Sequence, residues 1–561
     1  MSAAGANRAI ACMCLLSFGI AACRNSVRYV ALAAPAAPRF VDVSAQSGVV
    51  HDHVLPVTEQ AYLRNLGGGV VMDDLDGDGR LDLLLTNAGG PNGLFWNRGG
   101  FTFDRAVAAA GVGLDGAWTN SASAADLDGD GDLDLVTAGP RGVHVLRNEG
   151  DRTFTDVTGA SGVTATANPL ALGFGDLDRD GRVDLVVGHG IHIDGPAAIP
   201  ECGADAWKGA KYTPPSVWRG LGDLRFEDAS AAMATFASAL TEPTHVVGLV
   251  DLDDDGDLDL YYTTDNFHSA ANRIVWNRTE PGGALSFEIA PPDPVTLHPA
   301  GAMGIAVLDV DKDLRPDVFV TNLAFAPPFR EVLLSFRVGG AVVDVAEEYA
   351  AIGLLTGPEG RLSSWAAVPI DVSNRGYEDL VVVYGHLDNG FGCADDAPGT
   401  AAQKDEPDLL LRVDATSGIF DLGSDTGLED PGQGRGAAVG DLDDDGCPDL
   451  VVVNLGGRAR VHRNECRGAG HWIDLDLVPP APWTDPVGSK VTISTAGGRQ
   501  VRWVLAGVPG VYSSSPRRVH FGLGTTLTTV DEVVVRWPSG AEQNFGARTA
   551  DLRHTLSGRT R

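Results

Sequence analysis

Positive charge is scarce in this 561-residue chain: Lys and Arg number 42 against 75 Asp and Glu, a formal charge of −33. Nothing so acidic neutralises a phosphate backbone, so nucleic acid is excluded as a partner. The excess of carboxylates points instead to metal cations or basic partners. Catalytic signatures are missing as well: there is no Gly-x-Ser-x-Gly elbow, no phosphate loop and no Cys-x-x-Cys. No run of 18 apolar residues is present, which leaves no candidate for a membrane-spanning helix. What is abundant is apolar residue, at 44%, enough for packed cores and too much for a disordered acidic chain. Gly 71 and Pro 32 make the chain turn-rich, which favours short strands over long helices.

The first residues read as a targeting segment. Arg8 precedes an apolar stretch from Ala9 to Ile20, too short to span a bilayer and suited to a signal-peptide core. It ends in Ile20-Ala21-Ala22-Cys23, which resembles the bacterial lipoprotein cleavage box. That resemblance implies cleavage after residue 22, lipidation of Cys23 and anchoring to a bacterial membrane, facing the periplasm or the cell surface. An ordinary signal peptide and a secreted product are the alternative. Residues 23–38 are rich in Ala and Pro and read as a tether.

One unit recurs seven times. Its acidic loop carries aspartates at positions 1, 3, 5 and 9: Asp74, Asp76, Asp78 and Asp82; Asp126, Asp128, Asp130 and Asp134; Asp176, Asp178, Asp180 and Asp184; Asp251, Asp253, Asp255 and Asp259. The seventh copy is Asp441, Asp443, Asp445 and Asp449. The fifth, Asp309, Asp311, Asp313 and Asp317, lacks the glycine at position 6, and the sixth keeps only Asp371 and Asp379, with Arg375 at position 5. First aspartates are separated by 52, 50, 75, 58, 62 and 70 residues, a period that fits one propeller blade with insertions. Each unit reads as four short antiparallel strands. The second strands, such as Leu380–Val383 and Leu450–Val453, are continuous apolar runs suited to burial on both faces. The seventh unit supplies three strands only, and Phe40–Val43 stands alone ahead of the first. The fold class expected is therefore all-β: a seven-bladed propeller over 39–466, closed by an N-terminal strand, followed by a small β domain over 467–561.

Four carboxylates in one loop repel each other unless a cation neutralises them. All-oxygen ligands select a hard cation, Ca²⁺ before Mg²⁺. The 1-3-5 alternation with glycine at 6 matches the first half of an EF-hand loop. Position 7 then supplies its backbone carbonyl, from Arg80, Asp132, Arg182, Asp257 and Cys447. Ca²⁺ is expected in loops one, two, three, four and seven. Loop five should hold it weakly or not at all, and loop six should hold none, because the Arg375 guanidinium replaces the ion.

These units resemble the FG-GAP/VCBS repeats of integrin-type propellers. The C-terminal segments Gly470-His-Trp-Ile473, Gly510-Val-Tyr-Ser513 and Val533-Val-Val-Arg-Trp-Pro-Ser-Gly540 resemble the ASPIC/UnbV domain. The pairing is that of the cartilage-acidic-protein-like family, which implies calcium and an extracellular place, and supplies no reaction.

Other constellations are weaker. His189, His192 and Asp194, with His386 and Asp388, open two long insertions and are the only residues to nominate for chemistry; ordering of the loops is the simpler role. His51-Asp-His53 reads as a surface loop. Trp96, Trp218 and Trp276 read as core between blades. Cys447 and Cys466 flank a hairpin centred between Gly456 and Gly457, which predicts a disulfide across it; Cys202 and Cys393 are a second candidate pair. The function expected is a calcium-binding, surface-anchored extracytoplasmic propeller that acts as a protein or polysaccharide binding or adhesion module and touches the membrane only through its anchor. A propeller-type carbohydrate-active enzyme, a lyase or hydrolase with a top-face site at the central channel, is the alternative, and no catalytic residue is assigned.

Overall fold

The computed structural model describes residues 39–56, 63, 65–114, 118–165, 167–191, 213–235, 240, 243–265, 272–291, 301–323, 331–337, 341–349, 363–386, 407–414, 418–429, 432–466, 468–507 and 510–559. Cys23, the preceding targeting segment, the tether, Cys202, Cys393, His192, Asp194 and Asp388 lie outside them. No helix among the described residues is long and apolar enough to cross a membrane.

Seven four-stranded antiparallel sheets form, one per repeat. The first is Val70–Asp73, Asp82–Leu85, Gly93–Asn97 and Phe103–Arg105, in that order from the axis outward. The innermost strands of the others are Ser121–Ala125, Pro169–Gly175, Thr244–Val250, Ala302–Leu308, Ser364–Ile370 and Gly434–Gly440. Each innermost strand packs against the next, and Gly434–Gly440 returns to Val70–Asp73, so the ring is a closed seven-bladed propeller. Phe40–Asp42 pairs with Arg460–Asn464, Phe40 opposite Asn464, and completes the last blade. Phe40 is buried, so the closing strand carries an apolar anchor as well as ladder bonds.

The continuous apolar runs follow from this stacking. Successive strand residues point to opposite faces. Leu83 and Leu85 face the seventh blade, among Ala438, Val451 and Val461. Leu84 faces the second, beside Ala122, Leu135 and Leu146. Both faces are core, so no polar alternation survives. Trp96, Trp218 and Trp276 are all buried, each within a core cluster. Each such large apolar side chain contributes about 1.5–3 kcal/mol of burial.

The C-terminal residues form two further sheets. One combines His471–Val478, Val519–Gly524 and Leu552–Ser557, the last pairing parallel to the first. The other orders Gly498–Trp503, Lys490–Thr495, Thr529–Arg536 and Glu542–Thr549. Ile473, Leu475, Val491, Ile493, Phe521, Val533 and Val535 share one core between them.

From this β domain the segment 510–515 runs into the axis of the propeller. Ser514 forms a parallel bridge with Val71; its N–H donates to Val70 O (2.8 Å) and its carbonyl accepts from Met72 N (3.0 Å). The N–H of Gly510 donates to Ile305 O (3.2 Å), on the far side of the ring. The Tyr512 hydroxyl lies 2.8 Å from His245 Nδ1, and His245 Nε2 lies 3.2 Å from Asp265. A Cβ at Gly69 would meet the Tyr512 carbonyl at 1.8 Å, so only glycine permits this approach.

One local expectation fails, and another is met through a different geometry. His51 and His53 are buried, not surface residues. His51 Nε2 lies 3.1 Å from Thr86 O, and the N–H of Gly456 donates to His53 Nδ1 (3.3 Å); burial pushes their pKa values down to about 4 and about 3. Cys447 and Cys466 are joined, with Cα atoms 5.9 Å apart, but not in the register read from the hairpin. Val451 pairs with Val461, so the residue opposite Cys447 by extension is Glu465. Both cysteines lie beyond the paired strands, and a left-handed turn at Cys466 (φ 51°) brings its side chain across.

Candidate metal centre

The seven acidic loops share one backbone. Position 4 has positive φ in all of them, at Gly77, Gly129, Arg179, Asp254, Lys312, Asn374 and Asp444. So does position 6, which is glycine except for Leu314 in loop five (φ 68°), where the side chain costs about 1–2 kcal/mol.

This turn arranges the carboxylates. The first aspartate accepts the N–H of position 6 through Oδ2, as Asp74 does from Gly79 (2.8 Å) and Asp441 from Gly446 (2.7 Å). The last aspartate is the most deeply buried. Asp82 accepts Leu75 N–H (3.1 Å) through Oδ2 and Asn97 N–H (2.7 Å) through Oδ1, and Asp134, Asp259 and Asp449 repeat the pattern. Asp78, Asp130, Asp255, Asp313 and Asp445, at position 5, are exposed, and Asp180 is half-buried.

Carboxylate oxygens of Asp74, Asp76 and Asp82 lie within 4.8 Å of one another, as do those of Asp126, Asp128 and Asp134, of Asp176, Asp178 and Asp184, and of Asp251, Asp253 and Asp255. In loop seven Asp445 gathers with Cys447 and Cys466, but those sulfurs are joined to each other and are no longer thiolate ligands. Asp74 Oδ1, Asp253 Oδ1, Asp309 Oδ1 and Asp443 Oδ1 are buried without a hydrogen-bond donor. Buried anionic oxygens without donors fit a hard cation.

Burial dominates the electrostatics. It pushes Asp82 and Asp134 up to about 8 and Asp259 to about 9, with neighbouring aspartates adding to the rise. Asp184 and Asp449 are raised well above the carboxylate range for the same reason. Asp74, Asp126, Asp251 and Asp309 rise to about 6, and Asp176 and Asp441 to about 7. Without a cation these loops keep protons at neutral pH.

Loop six differs in chemistry, not in backbone. Arg375 Nη2 bonds Asp379 and also donates to Val413 O (2.8 Å). Arg412 Nε stands 3.7 Å from the same carboxylate. Asp379 rises only to about 6: burial raises it and the two guanidinium groups pull it back. In loop five, Lys312 donates to Gly376 O (2.7 Å) of loop six and lies 4.1 Å above the Tyr377 ring.

Three features escaped the sequence reading. First, an arginine holds Oδ2 of the position-3 acid in five loops: Arg152 on Asp76 (2.7 Å), Arg219 on Asp178 (2.6 Å), Arg278 on Asp253 (3.6 Å), Arg463 on Asp443 (3.3 Å), and Arg337 on Asp311. This trims the net charge of the loop while Oδ1 stays free of them. Second, the asparagine ending the third strand ties neighbouring blades: Asn97, Asn148, Asn277 and Asn464 each donate 2.9 Å bonds to Leu442 O, Leu75 O, Leu177 O and Val372 O. Its recurrence was the available signal.

Third, the C-terminal domain sits on the acidic loops. Arg536 bonds Asp251 and lies 3.0 Å from Asp254, which also takes Lys490 Nζ at 2.9 Å. Trp483 Nε1 donates to Asp176 Oδ2 (2.7 Å), and Asp485 Oδ2 accepts Asp126 N–H (2.9 Å). Arg517 pairs with Asp73 (3.1 Å) and with Asp485, and Arg553 bonds Asp444. His520 bridges Asp474 and Asn374, 2.8 Å from each.

Of the residues nominated for chemistry, His189 and His386 are described. His189 is buried, 3.1 Å from Ser216 Oγ and 3.2 Å from Ala167 O, and burial lowers its pKa to about 4. The carbonyl of His386 accepts Arg435 Nη2 (3.0 Å). Val511, Tyr512, Ser513 and Ser514 are buried within the axis, where the channel site of the enzyme alternative would stand.

The FG-GAP-like repeat family matches residues 74–137, 126–187 and 251–320, and the ASPIC and UnbV family matches 480–560. Cartilage acidic protein 1 of Homo sapiens is 26% identical over 278 residues, 46% of this chain; the match spans only 38% of that relative's length. Among solved structures, an Agrocybe aegerita lectin that recognises non-reducing terminal N-acetylglucosamine is 17% identical, with a TM-score of 0.40 over 72% of this chain and 92% of the lectin. BBS1N in complex with ARL6DN is 11% identical, with a TM-score of 0.41 over 74% of this chain and 96% of that one. The propeller described above rests on its own sheets and ring closure.

Proposed function

From a chain that carries FG-GAP-like repeats and an ASPIC and UnbV domain, we propose a calcium-binding, extracytoplasmic binding module, anchored through Cys23, that engages a protein or polysaccharide. One observation carries the metal: a close cluster of three carboxylates recurs in loops one to four, and buried oxygens that no donor satisfies remain at Asp74, Asp253 and Asp443. Oxygen-only ligands suit Ca²⁺, whose coordination is more tolerant, better than Mg²⁺, which demands tighter octahedral geometry. Asp74, Asp126, Asp176, Asp251 and Asp441 with their position-3, -5 and -9 partners would hold the ions, and the charge they supply would let the buried carboxylates ionise together. The place outside the cytoplasm is supported by the repeats and by likeness to a cartilage protein. Binding is favoured over catalysis because the channel is filled by 510–515.

The test is a pull-down from envelope or matrix extracts with and without calcium, beside fractionation of Cys23→Ser. Calcium-dependent capture of a ligand, and release of Cys23→Ser from the membrane fraction, are expected. Capture indifferent to calcium contradicts the metal's role. A wild-type protein found wholly soluble contradicts the anchor.

A further inference from the structure

A cleft of about 440 Å³ lies in contact with both the propeller and the C-terminal domain. It opens between the tips of loops four and five and the sheet that contains Lys490–Thr495 and Thr529–Arg536. That volume lies in the range of small-ligand sites, and domain junctions are where such sites concentrate.

The lining is cationic in a chain that is otherwise strongly anionic. Arg315, Lys490, Arg499 and Arg536 meet there, against Asp254, Asp313 and Glu542. Three of the four cations crowd one carboxylate: Lys490 Nζ at 2.9 Å, Arg536 Nη1 at 3.0 Å and Arg315 Nη2 at 3.7 Å from Asp254. Arg536 is also held by Asp251 and Arg315 Nη1 donates to Asp253 O (3.4 Å), so the donor capacity facing the cleft comes from the remaining N–H groups of Arg315 and from Arg499. Arg499, on the rim strand, is exposed and makes no ion pair among the described residues. The Thr492 side chain adds a hydroxyl, and only Leu314 and Val534 are apolar, which disfavours a lipid or aromatic ligand and suits a hydroxyl-rich one.

We infer that this cleft is a binding site for a carboxylate-bearing saccharide, the acid held by Arg315 and Arg499 and the sugar hydroxyls by Thr492 and the loop acids. Guanidinium forks match a carboxylate in two-point geometry. The inference deepens the binding-module reading and rests on it. The cleft adjoins the metal loops, since Arg536 also bonds Asp251 and Asp313 is the position-5 acid of loop five, whereas Arg499 belongs to the other domain, so titrations are made in calcium.

The experiment is calorimetric titration of the full chain, in calcium, with trigalacturonate and with its methyl ester, which has the same size and no charge. Trigalacturonate should bind, the ester at least 10-fold more weakly. Arg315→Ala and Arg499→Ala should each lose about 10-fold in affinity with an unchanged melting temperature, Arg499→Ala being the safer variant because its side chain supports nothing. Equal binding of acid and ester, or affinity unchanged in both variants, overturns the cleft and leaves a binding module with its site elsewhere. Failure of trigalacturonate to bind at all also overturns the cleft, while calcium-dependent capture in the pull-down would still stand.

Discussion

Removing the metal should invert the pH dependence of stability in a narrow window. Asp82 and Asp134 titrate near 8 and Asp259 near 9 in the folded chain, against about 3.9 when unfolded. A group raised in this way costs nothing below pH 4, where both states are protonated. Above that the unfolded chain ionises and the folded one does not, and the fold loses about 1.4 kcal/mol per pH unit per group until the folded pKa is passed. Acidifying metal-free protein from pH 8 to 6.5 should therefore return about 1.7 kcal/mol for each of Asp82 and Asp134, which are half ionised at pH 8, and about 2 kcal/mol for Asp259, about 5 kcal/mol together. The buried histidines oppose this only below their unfolded value near 6.5, because His51, His53 and His189 titrate at about 4, 3 and 4 when folded. Above 6.5 the carboxylates dominate: Lys312, lowered to about 8 by burial, opposes them slightly, and His520, lowered by burial but raised on balance by Asp474, acts in the same direction as they do. A chain this long unfolds with an entropy of roughly 1 kcal/mol per degree, so the metal-free melting temperature should rise by about 5 °C over that window. In millimolar calcium the same acidification should leave it flat or lower it, since protons compete with the ion. The assay is differential scanning calorimetry on stripped protein at pH 8.0, 7.25 and 6.5, with and without calcium. A metal-free melting temperature that is flat or falls toward pH 6.5 refutes the reasoning.

Three further outcomes follow from named contacts. Arg375→Ala should cost about 3–5 kcal/mol in urea unfolding, because it strips a buried carboxylate of its partner, and the loss should be the same with or without calcium. Cys447→Ser should cost about 3 kcal/mol, the scale for closing a loop of this length, read as a lower midpoint that disappears when wild type is compared under reducing conditions. Arg536→Ala removes ties to Asp251 and Asp254, so limited proteolysis should release the C-terminal domain several-fold faster than in wild type, and chelation of wild type should do the same.

Much of this architecture was legible from residues alone, and what was not has a common cause. The repeat spacing gave the blades, and the lone strand at Phe40 gave the closure, because both are local patterns repeated in sequence. The substituted sixth loop was legible because a guanidinium at position 5 has one plain reading. The docking of Arg517, Arg536 and Trp483 on loops hundreds of residues away left no local periodicity to follow. Nor did the passage of Tyr512 into the axis, which needs glycine at 69 but announces itself only as one more glycine in a Gly-rich strand. His51 and His53 looked like a polar loop because their hydrogen-bond acceptors and donors, Thr86 O and Gly456 N–H, come from other strands. The cysteines were paired from a symmetric hairpin, whereas a left-handed residue at 466 does the work of bringing them together.

The central claim, that the loops are cation sites graded by their side chains, is tested most directly by anomalous X-ray diffraction from crystals grown in millimolar calcium. The account predicts five strong peaks, at Asp74, Asp126, Asp176, Asp251 and Asp441, a weak peak or none at Asp309, and none at Asp371, where density for Arg375 should occupy the place of the ion. Empty loops at saturating calcium, or a peak in loop six equal to the others, would contradict it.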